Sequence, residues 1–484
     1  MKIIFSSVFC LLSSVLLSQN LTQTIRGKIV DVTSKFELPG VQIFVFNDSS
    51  KVGGVQSDAN GIYKIQNVPI GRGVVKANFL GYQSTTFRIE VTSAKEVILN
   101  FEMEESAVKV EEVVVTASKK GEVRNEMASV SARTFTVEET NRYAGSRSDP
   151  ARMASNFAGV QGTDDSRNDI IIRGNSPLGI LWRLDGVDIP NPNHFAIAGS
   201  TGGPVNIINN KTLENSEFYT GAFPAEYGNG NAGVFDLRMR NGNNEKHEFT
   251  GQFGFLGTEL AVEGPISKLS GSSYLFSYRY STLKLFDALN IRIGTSAVPL
   301  YQDGAFKFNF PGQKGSNFSI FGVGGKSSID ILVSTQTKPT EEIYGKKDRD
   351  QYFGSSMGVI GASYTKSLNE KTFVKFVAAH SGNESHSFHQ MVFRDSTYTI
   401  DSMPPKSGYR YIDQKTSLNF FVNHKFSSKA SMKTGLFFSY YYFDLLDSNR
   451  NDATYSFEQR NFYESSTAFW QPYVQFRIKT SNKL

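Results

Sequence analysis

The chain has 484 residues, 39% hydrophobic and 13% aromatic, which excludes a disordered protein and leaves room for several domains. Its formal net charge of +5 is small for this length, and no Lys/Arg cluster is dense enough to track phosphates, which speaks against nucleic acid as a partner. With 21 Tyr and 39 Phe against 2 Trp, and 42 Gly against 15 Pro, aromatic strands joined by glycine turns are favoured over helices, so the expected class is mostly β.

The first residues, MKIIFSSVFCLLSSVLLSQN, place Lys2 before an apolar run through Leu17 and end in small and polar residues. That order predicts a secretory signal peptide over residues 1–19, cleaved near Ser18 or Gln19; the run is too short and too interrupted by serines for a transmembrane anchor. The single cysteine, Cys10, lies inside it behind the bulky Phe9, where a lipoprotein-type site takes a small residue. The mature chain then has no thiol for a disulfide or a metal. No later apolar run reaches about 18 residues, so a membrane-embedded form has to be a closed barrel.

Residues 20–105 alternate short strands with turns. Thr24 to Asp31, Val41 to Phe46, Gly61 to Ile65 and Gly73 to Phe79 read as strands, with Leu38-Pro39-Gly40 and Ser57 to Gly61 as turns, which predicts a small β-sandwich. The Asp58 to Gly61 run lacks the later Glu of a calcium loop. RGKIVD, LPGVQIFV, SDANGIYKI and FLGYQS resemble the carboxypeptidase-regulatory-like domain that precedes many outer-membrane receptors of the Bacteroidetes type. The resemblance implies a seven-stranded, non-catalytic module. None of His194, His247, His380, His386, His389 and His424 begins an H-x-x-E or H-E-x-x-H motif, which argues against a zinc peptidase.

Residues 106–122 read as a linker. Within it Glu111, Glu112, Val113, Val114, Val115, Thr116 and Ala117 form a β-branched segment able to add as an edge strand to another protein's sheet. EEVVVTA resembles the TonB box, by which the periplasmic end of a receptor is pulled by the inner-membrane energy-coupling protein TonB, and its place between a small domain and the next unit is the one the family uses.

Residues 123–243 compose a mixed α/β unit. Thr136 to Tyr143 and Asp149 to Phe157 are expected to be helical, the first from a Thr136/Glu139 capping box and the second from Asp149-Pro150 at its start. Two apolar strands follow, Ile170 to Arg173 and Ile180 to Leu184, with glycine turns at Arg173-Gly174 and Asp185-Gly186; Asp-Gly is the strongest short hairpin signal, because both positions need φ > 0. VNIINNK and Phe218 to Gly242 complete the unit. IIIRGN, WRLDGVDIPNPNHF and GAFPAEYGNGNAGVFDL resemble the plug domain of TonB-dependent receptors across nearly its whole length. VVVTASK follows the box where glycan-importing receptors usually read VVVGYG, which weighs against a polysaccharide ligand.

Two motifs imitate catalytic sites. Gly228, Gly230 and Gly233 fit G-x-G-x-x-G, yet precede a strand instead of a helix, so no helix N-terminus waits for a pyrophosphate. Gly354-x-Ser356-x-Gly358 fits a nucleophile elbow but lies in a small-residue strand.

From 244 to 484 the sequence becomes aromatic strands of period two. Tyr274, Phe276, Tyr278 and Tyr280 alternate with Ser273, Leu275, Ser277 and Arg279; Phe306, Phe308 and Phe310 alternate with Lys307 and Asn309; two later segments, from Leu418 and from Trp470, repeat the pattern. Apolar-out, polar-in alternation suits a membrane barrel with a wet lumen. A 22-strand plugged transporter at about nine residues per strand needs roughly 200 residues in strands alone, leaving about two per connection, whereas Ser327 to Gln351 alone reads as a long loop. About ten to twelve strands are expected. The end at Ser481 to Leu484, without a terminal aromatic, suggests a partial barrel of a longer receptor.

The resemblances together imply a non-enzymatic TonB-dependent outer-membrane receptor of a Gram-negative bacterium, with its N-terminal domain in the periplasm. Its expected partners are TonB with the inner-membrane energising complex, an extracellular ligand, outer-membrane lipid and a surface lipoprotein; no cofactor and no metal are expected. Arg173 and Arg183 are candidates for tying the plug to barrel-wall carboxylates, since a guanidinium binds a carboxylate bidentately; Gly174, Asp185, Gly186, Gly228 and Gly233 form the rest of the plug motif. A surface binding or adhesion protein on the same scaffold is the alternative.

Overall fold

A computed structural model describes residues 21–47, 50–93, 95–106, 125, 127–128, 130–143, 145–254, 257–282, 299–313, 315–338, 346–451 and 456–479. The expected leader (1–19) and the Glu111–Ala117 segment lie outside the described residues. The fold is mostly β, as composition implied.

The N-terminal unit is a sandwich of β1 (Thr22–Asp31), β2 (Gln42–Asn47), β3 (Ser50–Gln56), β4 (Ile62–Pro69), β5 (Gly71–Asn78), β6 (Thr85–Val91), β7 (Val97–Ile98) and β8 (Phe101–Met103). One sheet joins β4, β1, β7 and β8, and the other runs β3-β2-β5-β6. The four strands read from sequence are present. β3, β6, β7 and β8 escaped notice because they are short, glycine-broken or weakly apolar, and β7 and β8 both pair in parallel with β1, a long-range arrangement with no local signature. Ile25, Ile29, Val41, Ile43, Tyr63, Val75 and Phe101 are among the buried core residues between the sheets. Gly27 is needed for closeness: a Cβ there would sit 1.8 Å from the Leu99 carbonyl oxygen. The Asp58 turn is closed by its own carboxylate, which accepts from the Asn60 and Ile62 amides at 2.9 and 2.8 Å.

The second unit centres on a five-stranded sheet, β13-β12-β17-β16-β9, built from β9 (Ala132–Phe135), β12 (Ile180–Leu184), β13 (Val187–Ile189), β16 (Ser216–Tyr219) and β17 (Gly233–Leu237). β12 and β17 run parallel and are covered on both faces, hence the unbroken apolar character of ILWRL and GVFDL. The Ile170 strand is not part of this hairpin: β11 (Ile170–Ile172) pairs with β10 (Val160–Gly162). The expected helices form but are short, α1 (Val137–Arg142) and α2 (Pro150–Ala154). Thr136 caps α1 by accepting from the Glu139 amide, and the Glu139 carboxylate accepts from Arg133. α2 stops before Phe157 because Ser155 and Asn156 return their side chains to the Arg152 carbonyl. VNIINNK is strand only at β15 (Val205–Asn206), which pairs with β14 (Asn193–His194); Asn206 and Asn209 bond the Ile208 and Lys211 amides and bend the chain away.

The third unit is a ten-stranded antiparallel wall. In order it comprises β18 (Glu248–Phe253), β19 (Thr258–Ser267), β20 (Ser272–Tyr280), β21 (Leu300–Pro311), β22 (Asn317–Ile331), β23 (Arg349–Asn369), β24 (Thr372–Met391), β27 (Pro405–Ser427), β28 (Ala430–Arg450) and β29 (Phe457–Ile478), with a side hairpin of β25 (Phe393–Arg394) and β26 (Ile400–Ser402) between β24 and β27. The ten wall strands among the described residues fall within the expected ten to twelve. The strands are longer than the nine or so residues a bilayer requires, β27 reaching 23. That length corrects one expectation: Ser327–Ile331 is the end of β22, paired with Gln351–Ser355, and not part of a loop. Short turns join the strands at one end of the wall, and the longest connections, after β20, β22 and β24, lie at the other. Phe276, Tyr278, Phe308 and Phe420 point outward and are exposed, whereas Ser277, Lys307 and Asn419 point inward and are buried. No described helix is long and apolar enough to cross a membrane.

The wall wraps the second unit. Phe321, Val323, Met357, Val359, Val377 and Ala379 of the wall belong to the same apolar cluster as Ile172, Trp182, Leu184 and Phe235 of the inner unit.

Candidate functional site

The seam between the inner unit and the wall concentrates polar contacts. Its centre is the Asp185-Gly186 turn, where both residues hold positive φ (50° and 100°), as the hairpin signal demanded. The tight turn projects its carbonyls at the wall. Lys375 Nζ donates to Asp185 O (2.9 Å) and Asn419 Nδ2 to Gly186 O (2.7 Å). Lys307 Nζ reaches the Asp185 carboxylate (3.1 Å) and Met239 O (2.6 Å), while the same carboxylate accepts from the Met239 amide (3.0 Å). Three wall side chains from β21, β24 and β27 thus hold one hairpin tip.

A second junction surrounds Arg183. Its side chain is 3% exposed, donates to Asp188 (2.8 Å) and to the Glu226 carbonyl (2.9 Å), and lies over Tyr227 and Phe437. Burial works against its charge, but Asp188, Tyr227, Glu226 and Asp236 raise its pKa. Glu226 faces both ways, 3.5 Å from Arg183 and 2.5 Å from Lys433 on β28. Burial opposes its ionisation too, yet Lys433 and Arg183 hold it below the usual carboxylate range.

A third junction is His194, whose Nε2 lies 2.9 Å from the Asp303 carboxylate of β21. Arg279 of β20 holds that carboxylate at 2.7 Å and donates to Asn206 O at 2.5 Å. The His194 ring packs against Tyr301, is fully buried, and has its pKa lowered by that burial. At the periphery, Arg240 forks onto Glu263 (2.5 and 2.7 Å).

Arg183 does not reach a wall carboxylate as expected: its carboxylates, Asp188 and Glu226, belong to its own unit, and the wall supplies a cation, Lys433, to Glu226. Arg173 is not at the seam; it reaches Ser131 (2.9 Å) and Thr220 (3.4 Å), and Arg173-Gly174 form a tight turn with φ of 50° and 79°. Gly228 lies beside Gln471 of β29, and Gly233 is required by packing, since a Cβ would meet Ile172 Cδ1 at 2.3 Å. Gly233 opens β17, so the dinucleotide-like motif runs into a strand as read. Ser356 likewise sits inside β23. Lys307, Lys375, Lys433, Asn419 and His194 were missed. A lysine flanked by outward phenylalanines, as in Phe306-Lys307-Phe308, is the signal that marks an inward charge. Among the described residues no group of three or more His, Cys, Asp or Glu is placed to hold a metal ion.

Comparison with known proteins agrees with this layout. The model of the CarboxypepD_reg-like domain matches residues 25–115, and that of the TonB-dependent receptor plug domain matches residues 124–234. No curated protein matches the chain. Among solved structures, the pyoverdine outer-membrane receptor FpvA of Pseudomonas aeruginosa PAO1, bound to pyoverdine, superposes with a TM-score of 0.54 at 11% identity, covering 74% of this chain and 55% of that one. A second P. aeruginosa FpvA structure, bound to a heterologous pyoverdine with iron, gives 0.52 at 13% identity over 73% and 50%. The copper transporter OprC gives 0.50 at 10% identity over 73% and 53%. At these identities the likeness is one of fold, and the chain spans about half the length of the structures it matches. The chain thus carries a carboxypeptidase-regulatory-like domain followed by a TonB-dependent receptor plug domain, the plug seated in a wall with the fold of outer-membrane receptors.

Proposed function

We propose that the protein is a TonB-dependent outer-membrane receptor that takes up an extracellular ligand, with residues 123–243 closing the lumen and Glu111–Ala117 as the segment gripped by TonB. The observation that carries this reading is the wall's hold on the Asp185-Gly186 tip by Lys307, Lys375 and Asn419. These are charge-assisted and amide contacts to a compact domain, strong enough to seat it and discrete enough to break together under pull. The receptor sits in the outer membrane, its N-terminal domain in the periplasm, its outward aromatics against lipid and its longer connections outside. No covalent step is assigned to it. The wall's polar seam serves retention and release of the plug.

Deleting residues 111–117 from the full chain and following growth on limiting ferric siderophore, cobalamin, peptide or oligosaccharide tests this. Loss of growth on one of these, with surface binding retained, is the expected result. Unchanged growth on all of them favours a surface binding protein without transport.

A further inference from the structure

The N-terminal unit lies across the short-turn end of the wall and touches it at widely separated strands. Next to β18, Arg26 donates to Asn243 (2.8 Å) and Asn244 (2.6 Å), and Lys64 pairs with Glu245 (2.6 Å). Near the end of β23, Ser367 Oγ donates to Ser34 O (2.8 Å). On β27, Lys425 Nζ reaches Asp31 (2.6 Å) and Glu105 (3.0 Å), and on β29 Arg477 pairs with Glu104 (2.6 Å). These contacts carry the unit from the first wall strand to the last.

Its hold differs in kind from that of the plug. The plug's apolar core continues into wall side chains, whereas the core of the N-terminal unit, from Ile25 to Met103, contains no plug or wall residue. The attachment is ionic and hydrogen-bonded, and it is graded. Lys64 and Glu245 are 40% and 42% exposed, so salt screens that pair; Lys425 and Asp31 are 10% and 2% exposed and are screened far less. Asp31 is also prearranged as an acceptor. Its Oδ1 takes the Thr33 and Ser34 amides and its Oδ2 takes the Tyr82 hydroxyl beside Lys425.

We propose that residues 22–106 are a detachable cap over the short-turn mouth, which leaves as an intact folded unit once the Asp31–Lys425 anchor breaks. The use of such a cap rests on the transport reading: a ligand leaving the lumen has to pass it, so cap release becomes a step of uptake. The detachment itself is measurable with no ligand and no energy coupling, so either idea can fail while the other stands.

The seam holds a partly open cavity of about 20 Å³ lined by Thr33 and Glu105 of the cap and by Lys425 and Ser431 of the wall, and Ser431 is 6% exposed. Full-length protein in detergent micelles, carrying Cys10→Ser and Ser431→Cys, is treated with a polar maleimide while protease resistance of residues 22–106 is followed in parallel. Labelling should be slow at 0.15 M salt, faster at 1 M, and at least tenfold faster with Lys425→Ala at 0.15 M, with residues 22–106 still resistant; Glu104→Gln should give a smaller acceleration. Labelling rates unchanged by salt and by Lys425→Ala would show a fixed seat and overturn the proposal. Acceleration that comes with digestion of residues 22–106 would overturn it equally, because the unit would then be unfolding in place.

Discussion

Lys307 Nζ lies 3.1 Å from the Asp185 carboxylate and 2.6 Å from the Met239 carbonyl, so one wall ammonium ties together two separate segments of the plug, the Asp185 turn and the chain just after β17. Removing the cation while leaving Asp185 buried is the damaging half of that pair. Lys307→Met should lower the plug's resistance to urea by about 3–5 kcal/mol, and adding Asp185→Asn should recover part of the loss, since Asn also tolerates positive φ. Fluorescence of Trp182, stacked on Phe235 with centroids 4.3 Å apart, reports the transition in a Trp470→Phe background. Equal stability of the single and double variants would rule out the electrostatic account of this contact.

Gly186 holds a φ of 100°, a conformation L side chains rarely adopt, while the nearest atom to an added Cβ is the mobile end of Lys375 at 3.2 Å. Backbone strain therefore dominates. Gly186→Ala should cost about 1–3 kcal/mol in the same urea titration, with the Lys375 contact retained. A neutral substitution would mean that the turn does not need its left-handed residue.

His194 supplies a pH dependence. Burial depresses its pKa, and the groups facing it are Asp303, Arg279 and Tyr301 of the wall. A depressed pKa means that the unfolded chain takes up the proton first, so the stability His194 contributes is present above about pH 6.5 and is lost as pH falls through the folded value. Between pH 6.5 and 5.5 the plug should weaken by at most about 1.4 kcal/mol, and His194→Gln should flatten that part of the profile. A profile that His194→Gln leaves unaltered assigns the effect elsewhere.

Two glycines of β23 should behave oppositely. A Cβ on Gly358 meets nothing within 4 Å, whereas one on Gly361 would sit 2.7 Å from Phe321 Cζ and 3.0 Å from the Ala379 Cβ, inside the packed wall–plug cluster. Gly358→Ala should be neutral or slightly stabilising, and Gly361→Ala should destabilise by about 1–3 kcal/mol through overpacking. Thermal melts of the two variants side by side decide this.

What could be read from the sequence was local. The Asp185-Gly186 turn, the Thr136 and Asp149 caps and the period-two aromatics each carry their signal within a few residues, and each forms where expected. What could not be read depends on partners far along the chain. Val97–Ile98 and Phe101–Met103 become strands only because β1 runs beside them, and Ser327–Ile331 is strand because Gln351–Ser355 pairs with it. The seam has the same limit. Arg183 is visibly a buried-strand cation, but nothing local says that its carboxylates are Asp188 and Glu226, or that Lys433, 207 residues from Glu226, completes the group.

In the proposed uptake cycle, residues 123–243 move against the wall. Glu226 and Lys433 meet at 2.5 Å, so Glu226→Cys with Lys433→Cys, in a Cys10→Ser background, can be bridged by a short bis-methanethiosulfonate, each cysteine thiolate forming a reducible disulfide with one end as methanesulfinate leaves. Uptake of the compound whose import depends on residues 111–117 should stop on bridging and return on reduction, while the unbridged double variant imports throughout. Continued import by the fully bridged protein would contradict the account.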